Sequence, residues 1–133
     1  MKEFDRWFRQ AVRNLDSARH DLEEGFFEWA CFKAQQAADL AVKGLLRSRG
    51  VARGGHSVLK LLEIVEAELN VSVPSELREA AAELDHYYIP PRYPDAYAEG
   101  SPYEFFTRDM AARAVRLAER VLEWVREVWS AGR

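Results

Sequence analysis

The sequence is poor in the residues that build metal sites and disulfides. It contains one cysteine and three histidines, and none of them falls at the paired spacing of zinc ligands. The lone Cys31 excludes an internal disulfide, and its apolar helical surroundings are typical of a small buried side chain rather than a nucleophile. The sequence therefore predicts no metal site and no cofactor.

Long apolar runs are also missing. No stretch approaches the roughly 20 apolar residues of a transmembrane helix, and residues 1–6 carry acidic side chains where a signal peptide would have its apolar core. With 48% hydrophobic and 31% charged residues over 133 positions, the composition is typical of a globular protein rather than a disordered one. These features predict a cytoplasmic protein with one domain spanning residues 1–133.

An excess of positive charge is absent, because 19 Lys and Arg residues stand against 22 Asp and Glu residues and the net charge is −3. This balance does not favour broad electrostatic binding to nucleic acid. One local exception is the basic segment, residues 43–60, which contains no acid. The sequence leaves open whether this segment joins a binding site or complements the C-terminal end of a helix. Its cationic side chains and its histidine are Lys43, Arg47, Arg49, Arg53, His56 and Lys60.

The alternation typical of β-strands is absent, whereas apolar residues recur at steps of three and four. This rhythm predicts helices over residues 3–23 and 26–49, a third beginning at 56–57, a fourth over 74–88, and a last over 101–130. Gln36 falls on the apolar side of the second helix and needs a hydrogen-bond partner if it is buried. The predicted fold class is all-α, an antiparallel up-down four-helix bundle with one element split into two shorter helices.

Several residues mark the ends of these helices. Gly25 and Gly50 follow the first two helices, where glycine commonly ends a helix. The pattern of residues 101–104, Ser-Pro-Tyr-Glu, predicts a capping box that starts the last helix. His56 or Ser57 can cap the third helix, and such a capping or packing role is favoured over catalysis for His56.

One segment interrupts the helical pattern, and we name residues 85–97 the proline loop. It holds three of the five prolines, four of the five tyrosines and one of the three histidines. Prolines at this density cannot continue a helix, so we expect a rigid connection. The loop is either a stiff connector or a functional site. Its polar and charged side chains include Asp85, His86, Arg92 and Asp95.

In these helices and in the proline loop, the chain resembles the HEPN domains (higher eukaryotes and prokaryotes nucleotide-binding), specifically the small free-standing prokaryotic proteins. The resemblance covers nearly the whole chain, and the proline loop is its most specific part. The matching pieces are Trp7, Ala11, Leu15 and Asp16; residues 36–43; His56, Leu59 and Leu62; and residues 84–85 and 88–95.

The resemblance implies an up-down helical bundle that pairs as a homodimer. Many such proteins are encoded beside a small nucleotidyltransferase in toxin–antitoxin-like modules, and others are substrate-binding subunits of nucleotidyltransferases. A large branch consists of metal-independent ribonucleases that use an Arg-x(4–6)-His motif near the start of the last helix. Arg92 occupies the arginine position of that motif, but the positions for the histidine are Tyr97, Ala98 and Glu99.

Two hypotheses follow from different classes of function. In the first, the protein is a binding or partner-docking module: Arg92 holds a phosphate, Tyr93 or Tyr97 stacks on a base, and Asp95 orients Arg92 or accepts from a ribose hydroxyl. The structural alternative is that Arg92 and Asp95 only form an ion pair with each other and hold the loop to the bundle.

In the second hypothesis, the protein is a ribonuclease. Arg92 stabilises the charge that develops on the attacked phosphate, and His86 or Tyr97 moves the proton. A phenol with a pKa of about 10 is a poorer base near neutrality than an imidazole of about 6.5.

The four tryptophans bear on the homodimer. Trp7, Trp29, Trp124 and Trp129 are many for one small bundle, and most are expected in the core. Any that remain exposed together would mark an interface.

Overall fold

The computed structural model describes residues 2–132, and within that range it contains helices and no strand. The five α-helices are α1 (Glu3–Glu24), α2 (Phe27–Ser48), α3 (Val58–Leu69), α4 (Ser75–Asp85) and α5 (Arg108–Ala131). Two short 3₁₀ turns, Pro94–Ala96 and Pro102–Phe105, lie between α4 and α5. The all-α bundle predicted from the sequence is confirmed, with α3 and α4 as the two shorter helices.

Helix α2 is the centre of the bundle and contacts α1, α3, α4 and α5. Its buried side is rich in small residues, which lets neighbouring helices approach closely. The tightest approach is at Gly44, where an added Cβ atom would lie 2.7 Å from the Cβ atom of Trp7 on α1. None of the helices in residues 2–132 combines the length and apolar character that crossing a membrane requires.

The predicted helix ends are partly confirmed. Gly25 ends α1 in the left-handed conformation with a φ of 86°, which glycine adopts without steric cost. Ser57 caps α3 by accepting a hydrogen bond from the Lys60 backbone N–H. Pro74 is the residue before α4 rather than its first residue.

The predicted end of α4 is wrong by three residues, because the helix ends at Asp85 rather than at Tyr88. His86 follows as the cap, and Tyr87 and Tyr88 already lie in a turn. The carboxylate of Asp85 is bonded to the start of α3, so the chain leaves the helical path where this contact is made.

The predicted start of the last helix is also wrong. The capping box of Ser101 and Glu104 is present, but it starts a 3₁₀ turn that stops at Phe105. Phe106 is extended and buried, with its ring centroid 6.0 Å from that of Tyr87. Thr107 then caps the true α5 by accepting from the Met110 N–H. The local pattern of residues 101–104 fits either kind of helix, and the distant contact with Tyr87 decides between them.

The tryptophans occupy different environments. Trp124 is buried, and Trp129 stacks on Phe4 with ring centroids 4.4 Å apart. Trp7 is half-buried beneath the Arg47 guanidinium. Trp29, at the start of α2, keeps 41% of its surface exposed.

Candidate functional site

Arg92 is held by aromatic rings rather than by a counter-ion. Its guanidinium carbon lies 4.3 Å from the ring centroid of Phe32 and 4.6 Å from that of Tyr88. The Tyr93 ring centroid is 5.0 Å away, and the Arg92 Nε–H donates to the Tyr88 carbonyl oxygen at 2.8 Å. No carboxylate in residues 2–132 comes within 4.0 Å of the guanidinium nitrogens. The terminal NH₂ groups therefore remain available to a ligand.

This geometry excludes the alternative in which Arg92 and Asp95 pair to hold the loop. Asp95 lies exposed on the 3₁₀ turn Pro94–Ala96. The loop is held at its other end, by Asp85. The Asp85 carboxylate accepts hydrogen bonds from the Val58 N–H (2.8 Å), the Leu59 N–H (3.1 Å), the Ser57 hydroxyl (2.8 Å) and the Gln35 amide (3.2 Å).

A buried amide links these parts, and it is Gln35 rather than the predicted Gln36. Gln35 has no exposed surface, and its Nε2 group donates to the His56 carbonyl oxygen at 2.7 Å as well as to Asp85. Gln36 is half-buried and donates to Gln35 Oε1 at 2.8 Å. The sequence pattern therefore places the buried side of α2 one residue too late at this position, at Gln36 instead of Gln35. Gln35 therefore joins α2, the start of α3 and the proline loop.

The histidine that reaches the site is His56 and not His86. The His56 imidazole stacks on the Tyr88 ring at 4.6 Å between centroids with an angle of 16°, and Arg92 lies over the same ring. His86 is exposed, and its side chain makes no hydrogen bond, ion pair or ring contact with residues 2–132. In sequence His56 lies far from Arg92, so spacing alone did not connect them.

Tyr97 is not one of the rings that contact Arg92, which are those of Phe32, Tyr88 and Tyr93. Its ring stacks on Phe105, with centroids 4.3 Å apart and an angle of 4°. Burial raises the pKa of the Tyr97 phenol above its ordinary value, which makes it a still poorer base near neutrality. Tyr93, in contrast, keeps 48% of its surface exposed beside the guanidinium. Of the predicted site residues, the structure thus brings Arg92 and Tyr93 together.

A buried ion pair lies near this site. Lys43 Nζ is 2.9 Å from Asp39 Oδ2, and both side chains are almost fully buried. The second carboxylate oxygen of Asp39 has no hydrogen-bond partner among residues 2–132. Burial raises the pKa of the Asp39 carboxyl, and the charges of Lys43 and His56 partly offset that effect. Sequence reasoning missed Asp39, although Asp39 and Lys43 stand four residues apart on one side of α2.

The basic segment does not form one cationic patch. Lys43 pairs with Asp39, and Arg47 lies over Trp7. The guanidinium of Arg53 lies 3.5 Å from Glu68, and Lys60 Nζ lies 3.4 Å from Glu63. Within this segment, His56 makes the ring contact with the proline loop.

Of the grooves along α5, two are crossed by ion pairs, and neither of these contains Arg92. One lies between α1 and α5, and the other lies between α4 and α5. Charged side chains bridge both grooves, as Arg19 does with Glu119 and Arg113 with Glu83. Arg92 instead lies outside these grooves, among the half-buried rings of Phe32 and Tyr88 and the exposed ring of Tyr93.

A HEPN domain model matches residues 4–128 of the chain. The chain belongs to the HEPN domain family. Its structure is similar to the crystal structure of TT1696 from Thermus thermophilus, with a TM-score of 0.91 and 46% identity over 96% of this chain and 98% of that one. It is also similar to ST0689, an archaeal HEPN homologue, with a TM-score of 0.79 and 41% identity over the same shares of the two chains.

Among curated relatives, this HEPN protein is similar to MJ1304 of Methanocaldococcus jannaschii, which is named as a candidate toxin. The two are 25% identical over 128 residues, which cover 91% of this chain and 84% of that protein.

Proposed function

We propose that this HEPN protein is a nucleotide-binding and partner-docking subunit that acts with a small nucleotidyltransferase in a toxin–antitoxin-like module. The observation that carries the proposal is the Arg92 guanidinium, which is fixed between rings with its terminal NH₂ groups unpaired in residues 2–132. A guanidinium in this state can bind a phosphate through two parallel hydrogen bonds.

The surroundings of Arg92 suit a nucleotide better than a free phosphate. Tyr93 offers an exposed ring on which a base can stack, and each base–aromatic contact of this kind contributes about 1–3 kcal/mol. Asp95 is exposed on the next turn and can accept from a ribose hydroxyl. Tyr97, stacked on Phe105, lies apart from Arg92, and we propose no contact between it and a base bound at Tyr93.

The proposal also includes a homodimer and a nucleotidyltransferase partner. Arg92 lies outside the two grooves along α5, whereas small-molecule sites usually bury most of their ligand. A second surface laid over the proline loop would supply the missing wall. The similarity to MJ1304, named as a candidate toxin, supports an association with a cognate protein of this module type.

The test of this function is calorimetric titration of the four ribonucleoside 5′-monophosphates into the wild-type protein and the Arg92→Ala variant. Because hydrogen bonds to a charged group contribute about 1.5–3 kcal/mol, we expect Arg92→Ala to weaken binding by roughly 10- to 100-fold. Arg116→Ala is the matched control, since Arg116 is an exposed arginine on α5. Equal affinity of the wild type and Arg92→Ala would refute the role of Arg92.

The ribonuclease hypothesis is tested with the same proteins. The two side chains considered for proton transfer, His86 and Tyr97, make no contact with Arg92 in residues 2–132. A catalytic base has to lie within about 3 Å of the proton it removes, so we expect no RNA cleavage that depends on them. Cleavage by the wild type that is lost in Arg92→Ala would replace the binding-only function with a ribonuclease.

A further inference from the structure

We propose that His56, from the loop between α2 and α3, is a second ligand-binding group of the Arg92 site, and that the two together hold the phosphate of one ribonucleotide. This inference rests on the proposed function and adds a residue from a different part of the chain. Neither the linear motif nor the helical pattern points to it.

The first support is the shared ring. The His56 imidazole and the Arg92 guanidinium each lie 4.6 Å from the centroid of Tyr88. The two groups therefore cannot be farther apart than the sum of these distances, which is a span that one nucleotide covers. Since both side chains pack on the same ring, their relative position is fixed before a ligand arrives.

The second support is the anchoring of His56. The imidazole is exposed to solvent, yet the backbone around it is held on both sides. Its carbonyl oxygen accepts from the buried Gln35 amide at 2.7 Å, and the next residue, Ser57, donates to Asp85. Because its backbone is held and its ring is stacked on Tyr88, the imidazole loses less freedom when it binds, which favours affinity.

The third support concerns the nearby start of α3. Helix N-termini often bind anions, but here Asp85 already accepts the Val58 and Leu59 N–H groups and Ser57 accepts the Lys60 N–H. An incoming phosphate cannot use these donors. We therefore assign the phosphate to the side chains of Arg92 and His56 rather than to the start of α3.

The electrostatic surroundings are also compatible with a phosphate bound by Arg92 and His56. The buried Asp39 carboxylate is paired with Lys43, whose Nζ lies 2.9 Å from Asp39 Oδ2. The Asp85 carboxylate is likewise occupied, because it accepts hydrogen bonds from the start of α3 and from Gln35. Both carboxylates are thus already paired, rather than free to repel a phosphate held by Arg92 and His56.

The experiment is calorimetric titration of uridine 5′-monophosphate, uridine and inorganic phosphate into the wild type and three variants. His56→Phe keeps a ring on Tyr88 but cannot hydrogen-bond, and Arg92→Ala reports the proposed function. His86→Ala is the matched control, because His86 is an exposed histidine without a ring contact in residues 2–132. Thermal unfolding of each variant shows that it is folded.

We expect His56→Phe to weaken binding of the monophosphate roughly tenfold and to leave the affinity for uridine unchanged. We expect His86→Ala to bind the monophosphate as tightly as the wild type does. If Arg92→Ala loses binding while His56→Phe binds like the wild type, this inference is overturned and the proposed function stands. If the wild type does not bind the monophosphate, or if Arg92→Ala binds it equally well, both are overturned.

Discussion

Lys43 and Asp39 lie together in the middle of α2, with 8% and 1% of their surfaces exposed. Their charged atoms are 2.9 Å apart, so each ion is stabilised mainly by the other. Removing one partner of such a buried pair leaves an uncompensated charge, which typically costs about 3–5 kcal/mol. Replacing both partners with apolar residues of similar volume is often neutral or stabilising.

We therefore expect Lys43→Met to lower the free energy of unfolding by about 3–5 kcal/mol, and the double variant Asp39→Leu/Lys43→Met to recover most of that loss. Urea unfolding followed by circular dichroism measures both. Lys60→Met is the control, since Lys60 is exposed and 3.4 Å from Glu63. A double variant no more stable than Lys43→Met would show that the pair has other essential contacts.

At the level of single residues, sequence reasoning found Arg92 and Tyr93 but missed Gln35 and the contact of His56 with Tyr88. Arg92 stands in a dense and specific segment, so its position was informative. Gln35 was missed because a one-residue error in helical phase exchanges it with Gln36. The sequence favours a capping or packing role for His56, because nothing in its own neighbourhood shows that Tyr88 lies beside it.

The contact between α1 and α2 depends on a glycine. At Gly44 an added Cβ atom would lie 2.7 Å from Trp7 Cβ, well inside the carbon–carbon optimum of about 3.5–4.0 Å. Trp7 cannot swing this atom away, because a Cβ atom moves only with the backbone. The two helices would have to separate.

Gly44→Ala is therefore expected to destabilise the fold. Alanine favours a helix over glycine by up to about 1 kcal/mol, but overpacking in a tight interface costs about 1–3 kcal/mol, so we expect a net loss of about 1 kcal/mol. Gly54→Ala is the control, because nothing lies within 4 Å of its added Cβ atom. Thermal unfolding that shows Gly44→Ala to be as stable as wild type would mean that α1 shifts without cost.

Among the helices, the sequence predicts those that carry their own signals. The bounds of α1 and α2 follow from an apolar stripe ended by a glycine turn. The start of α5 cannot be read from such local signals, because the capping box at Ser101 is present but starts a 3₁₀ turn. Buried Phe106 and the cap Thr107 set the true start, and the burial of Phe106 is a tertiary contact that local reasoning cannot see.

Over the whole molecule, the large hydrophobic side chains that stay exposed in the described chain fall in two segments, residues 26–29 and 89–105. These segments lie near each other, because α2 contacts the 3₁₀ turn Pro102–Phe105 and a chain of rings joins Trp29, Phe32 and Tyr88. The exposed members are Phe26, Trp29, Ile89, Tyr93, Tyr103 and Phe105. We name this group the aromatic surface.

Exposed apolar groups concentrated in one region, rather than scattered singly, are typical of an interaction surface. The aromatic surface includes Tyr93 and adjoins Arg92, so a second copy docked there would also cover the proposed nucleotide site. Aromatic residues and arginine are the side chains that most often carry the energy of such interfaces. Dimer formation and nucleotide binding would then depend on the same end of the bundle.

We therefore expect the wild type to be a dimer by light scattering at micromolar concentration, and the double variant Trp29→Arg/Tyr103→Lys to be a monomer. Trp29 and Tyr103 are 41% and 66% exposed, so new charges there should disturb an interface while leaving the core intact, which circular dichroism would verify. Ala67→Lys is the control, because Ala67 is exposed on α3 outside the aromatic surface. A monomeric wild type would contradict the homodimer, whereas a dimer that survives the double variant would place its interface on another face of the bundle.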